Sequence, residues 1–331
     1  MILVTGATGL VGSHLLYELC IRGFNIRATK RENSNTDFVR WVFSLYHDNP
    51  SELLKKIEWV DAEVTDYQSI LEATKGVDTV FHTAAFVSFK AADSKKILYT
   101  NVTGTANIVD ACLENGVKTL CHVSSIAALG EANPAGIIDE SCLWQKSKGQ
   151  SAYAKSKFLA ENEVWRGFEH GLRVVVVNPS VILGPGRWDS GSGQLFSIAA
   201  KGIPFYTTGI TGYVDVRDVA KAMAFLTFDT DVNGEKYVLN SENISFRDLF
   251  NTIATETGVK KPFIKVPGVL IDILYPLIFI FTLGRISKSN LKSAFTQTYY
   301  SANKIKSLGF KFIPISETIS LMAKVKLNTN L

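Results

Sequence analysis

Three glycines at intervals of three, Gly6, Gly9 and Gly12, follow an apolar run, Ile2 to Val4, at the start of the chain. The run reads as a short strand, and the apolar-periodic stretch at about 9–22 reads as a helix. A strand that turns into a helix over a glycine bend leaves the helix N-terminus, with its free N–H groups and positive end, open to an anion. Gly6 permits the tight turn, Gly9 lets the backbone of Thr8, Leu10 and Val11 approach a pyrophosphate, and Gly12 lets the helix lie close on the strand. A glycine turn without a ligand is the alternative. The place of the triplet between strand and helix weighs against it.

The first 180 residues continue the alternation that this opening sets. Strand candidates lie at 2–5, 24–29, 57–60, 78–82, 118–123 and 172–178. Helical patterns at 9–22, 67–74, 94–115 and 151–170 are long enough to cross over a parallel sheet, which predicts a doubly wound α/β domain. The link 33–56, with Trp41, Phe43, Tyr46 and a break at Asn49-Pro50, predicts an extra helix. After Gly184-Pro185-Gly186 the elements shorten, with helical candidates near 192–201, 217–228, 246–257, 287–295 and 301–308. We read a dinucleotide domain over 1–183 and a smaller substrate lobe over 184–331, with about 211–240 returning to the first domain.

Composition excludes several classes. With 46% apolar and 20% charged residues, the 331-residue chain has the ordinary globular mix. Its 35 basic and 31 acidic residues are scattered, so nucleic acid is not an expected partner. Four cysteines and five histidines without metal spacing predict neither a zinc site nor a disulfide framework, and suit a cytoplasmic protein. The apolar start runs at once into the glycine turn, which does not read as a secretory signal. The stretch 266–284 is apolar, but Asp272, Pro267 and Pro276 argue against a membrane span. A packed or substrate-facing helix is the favoured reading, with peripheral membrane contact as the alternative.

Acid/base chemistry is suggested by Tyr153 and Lys157, four residues apart on one face of the 151–170 helix. A phenol is a poor base at neutral pH, and an ammonium one turn away favours its phenolate. Tyr300 and Lys304 share this spacing but lie far into the lobe. The fifth strand's carboxyl edge, where α/β sheets place their ligands, carries Ser124 and Ser125 instead. Either hydroxyl could hold a carbonyl oxygen as negative charge develops on it. The second strand ends at Lys30-Arg31 with no acidic residue, which favours a 2′-phosphate and hence NADP(H) over NAD(H).

TGATGLVGSHL resembles the opening of the extended short-chain dehydrogenase/reductase family, within the NAD-dependent epimerase/dehydratase superfamily, and IRATKRENS resembles its dihydroflavonol reductase-like members, which use NADPH. Hydroxysteroid dehydrogenase-like members are similar too. The resemblance implies a Rossmann sheet, and runs to about residue 310. It implies that Glu63 and Val64 flank the adenine, that Thr83, Ala84 and Ala85 let the dinucleotide pass, and that Asn101 holds a water relaying protons to Lys157. The family's S-S-x-x-x-x-G pattern points to Ser125 rather than Ser124. Asn178, Pro179, Ser180 and Val181 correspond to the loop that contacts the nicotinamide. Sugar-nucleotide epimerases carry arginine where Asn178 stands, so the departure favours reductases. The expected activity is interconversion of a ketone and a secondary alcohol on an apolar small molecule. An NAD-retaining epimerase or dehydratase, and a non-catalytic dinucleotide scaffold, are the alternatives. Family analogy also offers a homodimer through 94–115 and 151–170.

Overall fold

A computed structural model describes residues 1–88, 90–145, 150–268 and 294–329. Its strands are β1 (Ile2–Thr5), β2 (Ile26–Lys30), β3 (Ile57–Asp61), β4 (Thr79–His82), β5 (Thr119–Val123), β6 (Ile137–Ile138), β7 (Arg173–Pro179), β8 (Val181–Leu183), β9 (Phe205–Tyr206), β10 (Ile210–Asp215), β11 (Glu235–Leu239), β12 (Glu242–Ser245), β13 (Ile264–Lys265) and β14 (Tyr299–Tyr300). Seven of these build one sheet in the order β11-β7-β5-β4-β1-β2-β3. Every neighbouring pair in it is parallel. This is the doubly wound Rossmann-like arrangement.

Side-chain alternation divides the core in two. Val175 and Val177 of β7 enter one apolar cluster with Leu15, Leu19, Val219 and Met223, while Val174 and Val176 enter the other with Ile70, Ile108, Leu120 and Val164. An unbroken valine run is therefore what a strand covered on both faces requires.

The helices of the sheet domain are α1 (Leu10–Ile21), α2 (Asp37–Tyr46), α3 (Pro50–Leu54), α4 (Tyr67–Ala73), α5 (Ser94–Leu98), α6 (Gly104–Glu114) and α7 (Ala152–Glu169). The 33–56 link thus holds two short helices, and Pro50 begins the second. The 94–115 pattern is not one continuous helix. A π-turn, Tyr99–Thr103, interrupts it and buries Asn101, a poor helix former placed where the backbone ladder widens.

Beyond the sheet, α8 (Gly191–Ala199), α9 (Val216–Phe228), α10 (Phe246–Thr257), α11 (Asn303–Ser307) and α12 (Ile315–Thr329) complete the described helices. Strands β12, β10 and β8 form a separate three-stranded sheet. Phe196, Tyr213, Leu249, Ile253, Ile319 and Met322 pack the lobe core. The sequence reading assigned neither α12 nor β11. Ile315, Ile319, Met322 and Ala323 recur at helical spacing and are all buried, which is why α12 forms. Residues 269–293, holding most of 266–284 and of the candidate 287–295, lie outside the described residues. Among the described residues no helix is long and apolar enough to cross a membrane.

Candidate active site

The strand order reverses between β1 and β4, and an open parallel sheet presents its crevice there, at the carboxyl ends of the strands. Gly6 leaves β1 with φ +68°, a left-handed conformation that disfavours side chains. A Cβ on Gly6 would come within 2.6 Å of the Ala84 backbone, and one on Gly12 within 2.3 Å of the Gly6 carbonyl oxygen. Gly9 caps α1 without a side-chain hydrogen bond, and no acidic residue sits in the first turn. The cradle is thus bare backbone at a positive helix end, which fits a dinucleotide pyrophosphate. Thr83 closes its flank, its Oγ1 donating to the Thr5 carbonyl at 2.6 Å. Gly186 approaches Leu10 from across the bend, where a Cβ would meet Leu10 Cδ1 at 2.9 Å.

At the end of β2 the two basic candidates part. Lys30 Nζ pairs with Asp61 Oδ1 at 2.5 Å. Arg31 is exposed, and among the described residues its guanidinium has no ion-pair partner. Val64 packs where a Cβ on Gly104 would meet its Cγ2 at 2.8 Å, and its carbonyl accepts from Asn107 Nδ2 at 2.8 Å. Glu63 is exposed next to it, its backbone tied to Ser69.

Helix α7 begins at a Ser151 cap, whose Oγ accepts from Ala154 N at 3.1 Å, and this sets Tyr153 in the first turn. The Tyr153 phenol, half-buried, lies beside the Ser125 hydroxyl, close enough for that hydroxyl to bias it toward its ionised form. Lys157 is buried, and its Nζ donates to the Val123 carbonyl at 2.8 Å. The tail of β5 is therefore gripped by α7. Gly130, which ends the serine motif, lies where a Cβ would strike the Leu143 carbonyl oxygen at 1.9 Å.

Within the protein's own field, burial raises the Tyr153 pKa, opposed by the Ser125 hydroxyl, and the lysine is not among the causes. Burial lowers Lys157 instead, to about 8, against the pull of Glu161. Desolvation outweighs the neighbouring charge because both groups sit under the sheet's edge.

Asn101 uses its amide fully on protein groups: Oδ1 accepts from Phe86 N at 2.7 Å, and Nδ2 donates to Phe86 O at 3.1 Å and Ser156 Oγ at 2.9 Å. It straps the loop after β4 to α7. Asn178 is fully buried, with Nδ2 donating to the Ser125 carbonyl at 3.0 Å and to Glu161 Oε1 at 2.5 Å. After it, Pro179 ends β7, Ser180 is buried with its N–H on the Leu239 carbonyl, and Val181 starts β8. Ala85 is exposed at the crevice loop. Tyr300 and Lys304 are elsewhere: Lys304 Nζ pairs with Glu235 at 2.5 Å.

Residues 2–239 match the sequence profile of the NAD dependent epimerase/dehydratase family. The chain belongs to that family. Among its relatives, a Synechocystis protein named as a dihydroflavonol 4-reductase is 30% identical, over 96% of this chain and 92% of its own. Sterol demethylase protein B of Methylococcus capsulatus is 30% identical, over 80% and 77%. The crystal structure of gox2253 superposes with a TM-score of 0.81 at 30% identity, covering 100% of this chain and 98% of its own. These neighbours share the extended short-chain dehydrogenase/reductase fold.

Family motifs pointed to Ser125, Tyr153 and Lys157, but not to Glu161, which the structure places next to them. Its signal was present, four residues past Lys157 on the same helical face. His82 and His122 were equally silent. Their rings pack at a 31° tilt beneath the site with centroids 5.2 Å apart, and burial holds both imidazoles neutral, His82 at about 3.

Proposed function

We propose that the chain is an NADP(H)-dependent oxidoreductase that interconverts a ketone and a secondary alcohol on a mainly apolar small molecule. The observation that carries this reading is the convergence of the Ser125 hydroxyl and the Tyr153 phenol at the carboxyl end of β5, with Lys157 one turn along and bonded to the Val123 carbonyl. A bound nicotinamide dinucleotide would supply the hydride. Gly6, Gly9 and Gly12 would hold its pyrophosphate, with Thr8, Leu10 and Val11 around it, and Val64 and Glu63 would flank its adenine. Ser125 orients the substrate oxygen, Tyr153 gives or takes its proton, and Lys157 holds the ribose and restrains Tyr153.

Arg31 supports NADP(H), since an exposed guanidinium without an internal partner can pair with a phosphate bidentately. Lys30 supports it less, being spent on Asp61. Titration of nicotinamide fluorescence with NADPH and NADH, followed by a panel of ketones, tests both halves of the reading. We expect tighter NADPH binding, and Arg31→Ser to weaken NADPH by about 10–100-fold while leaving NADH unchanged, as loss of a charge-assisted hydrogen bond predicts. Tighter NADH binding by the unaltered protein would overturn the assignment. An NAD-retaining epimerase is separated by turnover, because it returns its cofactor unchanged.

The same proposal keeps 1–183 with 211–240 as the dinucleotide unit, a cytoplasmic location and a homodimer. Exposed Phe205, Phe263 and Ile264, with Lys260, Lys261 and Lys265 close in sequence, support peripheral membrane contact where the chain enters 266–284.

A further inference from the structure

Beneath the proposed catalytic face lies a buried polar layer in which Lys157 meets two groups, Glu161 and Asn178, to which the proposed chemistry gives no part. Glu161, Asn178 and Lys157 are all buried, contributed by α7 and β7. Asn178 Nδ2 donates to both Glu161 Oε1 and the Ser125 carbonyl, while Lys157 donates to the Val123 carbonyl. The two carbonyls that flank Ser124 are thus held from below, one by Lys157 and the other by Asn178, which is itself bonded to the Glu161 carboxylate. Tyr153, Lys157 and Glu161 stand at i, i+4 and i+8, so the carboxylate lies one turn beyond the ammonium on the same face.

We propose that Glu161 is a positioning residue of this site: it acts through Asn178, which it holds against the Ser125 backbone, and through Lys157, whose ammonium it balances. The inference deepens the reading of Lys157 given above and rests on it. A buried cation without a countercharge sheds its proton, and an anion one turn away opposes this. The directions agree, since burial lowers Lys157 to about 8 and Glu161 pulls it back up. The other titratable groups are accounted for. His82 on β4 and His122 on β5 are held neutral by burial. Burial raises the Glu161 pKa, and Ser124, Lys236 on β11, Asn178 and Lys157 oppose that rise.

The experiment needs no substrate. Lys157 in its charged form holds the ribose, so NADPH affinity should weaken as pH rises through the lysine's titration. Dissociation constants are measured by nicotinamide fluorescence from pH 6 to 10, with circular dichroism to verify folding. Removing the countercharge lowers the Lys157 pKa. In Glu161→Gln, which keeps an oxygen for the Asn178 amide, the weakening should therefore begin about 1 pH unit lower. Glu161→Asp, which keeps the charge, should return it to the unaltered position. Should the glutamine variant not fold, Asn178→Ala probes the same link: stripped of its hydrogen bond, the carboxylate takes up a proton more readily, and the midpoint again falls. Lys157→Met should abolish the pH dependence. If it does so while a folded Glu161→Gln leaves the midpoint in place, the role of Glu161 is overturned and that of Lys157 stands. If Lys157→Met leaves the pH dependence intact, the ribose reading falls and the inference with it.

Discussion

Three side chains on two elements carry the proposed chemistry, and each is held by a bond that its own sequence position explains. Ser125 begins the turn after β5, Tyr153 sits in the first turn of α7, and Lys157 reaches back to the Val123 carbonyl. Tyr153→Phe removes the group proposed to exchange a proton with the substrate oxygen, so kcat should drop by about 10²–10⁴-fold while NADPH affinity is retained. Tyr300→Phe, which has the same spacing to a lysine, should leave kcat unchanged. The pH profile follows from direction. Burial raises Tyr153 and lowers Lys157 to about 8, so in the reductive direction both are protonated below pH 8. Reductive kcat should therefore fall on the alkaline side, and a profile that rises there would contradict the assignment.

At the scale of elements, the strand-to-helix bend is where stability and binding separate. Adding a methyl at Gly12 drives it into the Gly6 carbonyl and the Ala7 backbone, at 2.3 and 2.8 Å. Backbone cannot yield as a flexible side chain does, so Gly12→Ala should cost about 1–3 kcal/mol in urea unfolding. A methyl at Gly9 meets only the Gly6 carbonyl oxygen, at 3.2 Å. Gly9→Ala should therefore cost less stability than Gly12→Ala but fill the cradle, weakening NADPH in the fluorescence titration. The π-turn at Tyr99–Thr103 is another element-scale device. It turns Asn101 inward, and the amide then ties the loop after β4 to the helix that carries Tyr153.

For the molecule as a whole, two buried carboxylates join the C-terminal lobe to the sheet domain. Asp215 accepts from Arg217 and from Thr318 Oγ1, and Asp218 accepts the Ile313 N–H at 2.7 Å. Burial raises Asp218 to about 6, above its unfolded value near 3.9. Its contribution to stability is thus present below pH 4 and lost as pH rises through 6. Urea unfolding between pH 4 and 7 should show this slope, on the order of 2 kcal/mol, and Asp218→Asn should remove it. Much of the architecture was legible in residue order. Period and glycine spacing are local properties, so the first six sheet strands, the crossover helices and the phosphate bend could be read from the chain. Motif spacing likewise pointed to Tyr153, Lys157 and the serine pair. What only folding decided involves groups far apart in sequence: β11 as the seventh strand, Lys30 committed to Asp61, and Glu161 bonded to Asn178. Burial's pull on Tyr153 and Lys157 belongs with these. Desolvation and pairing depend on which segments close over a side chain, and no local pattern states that.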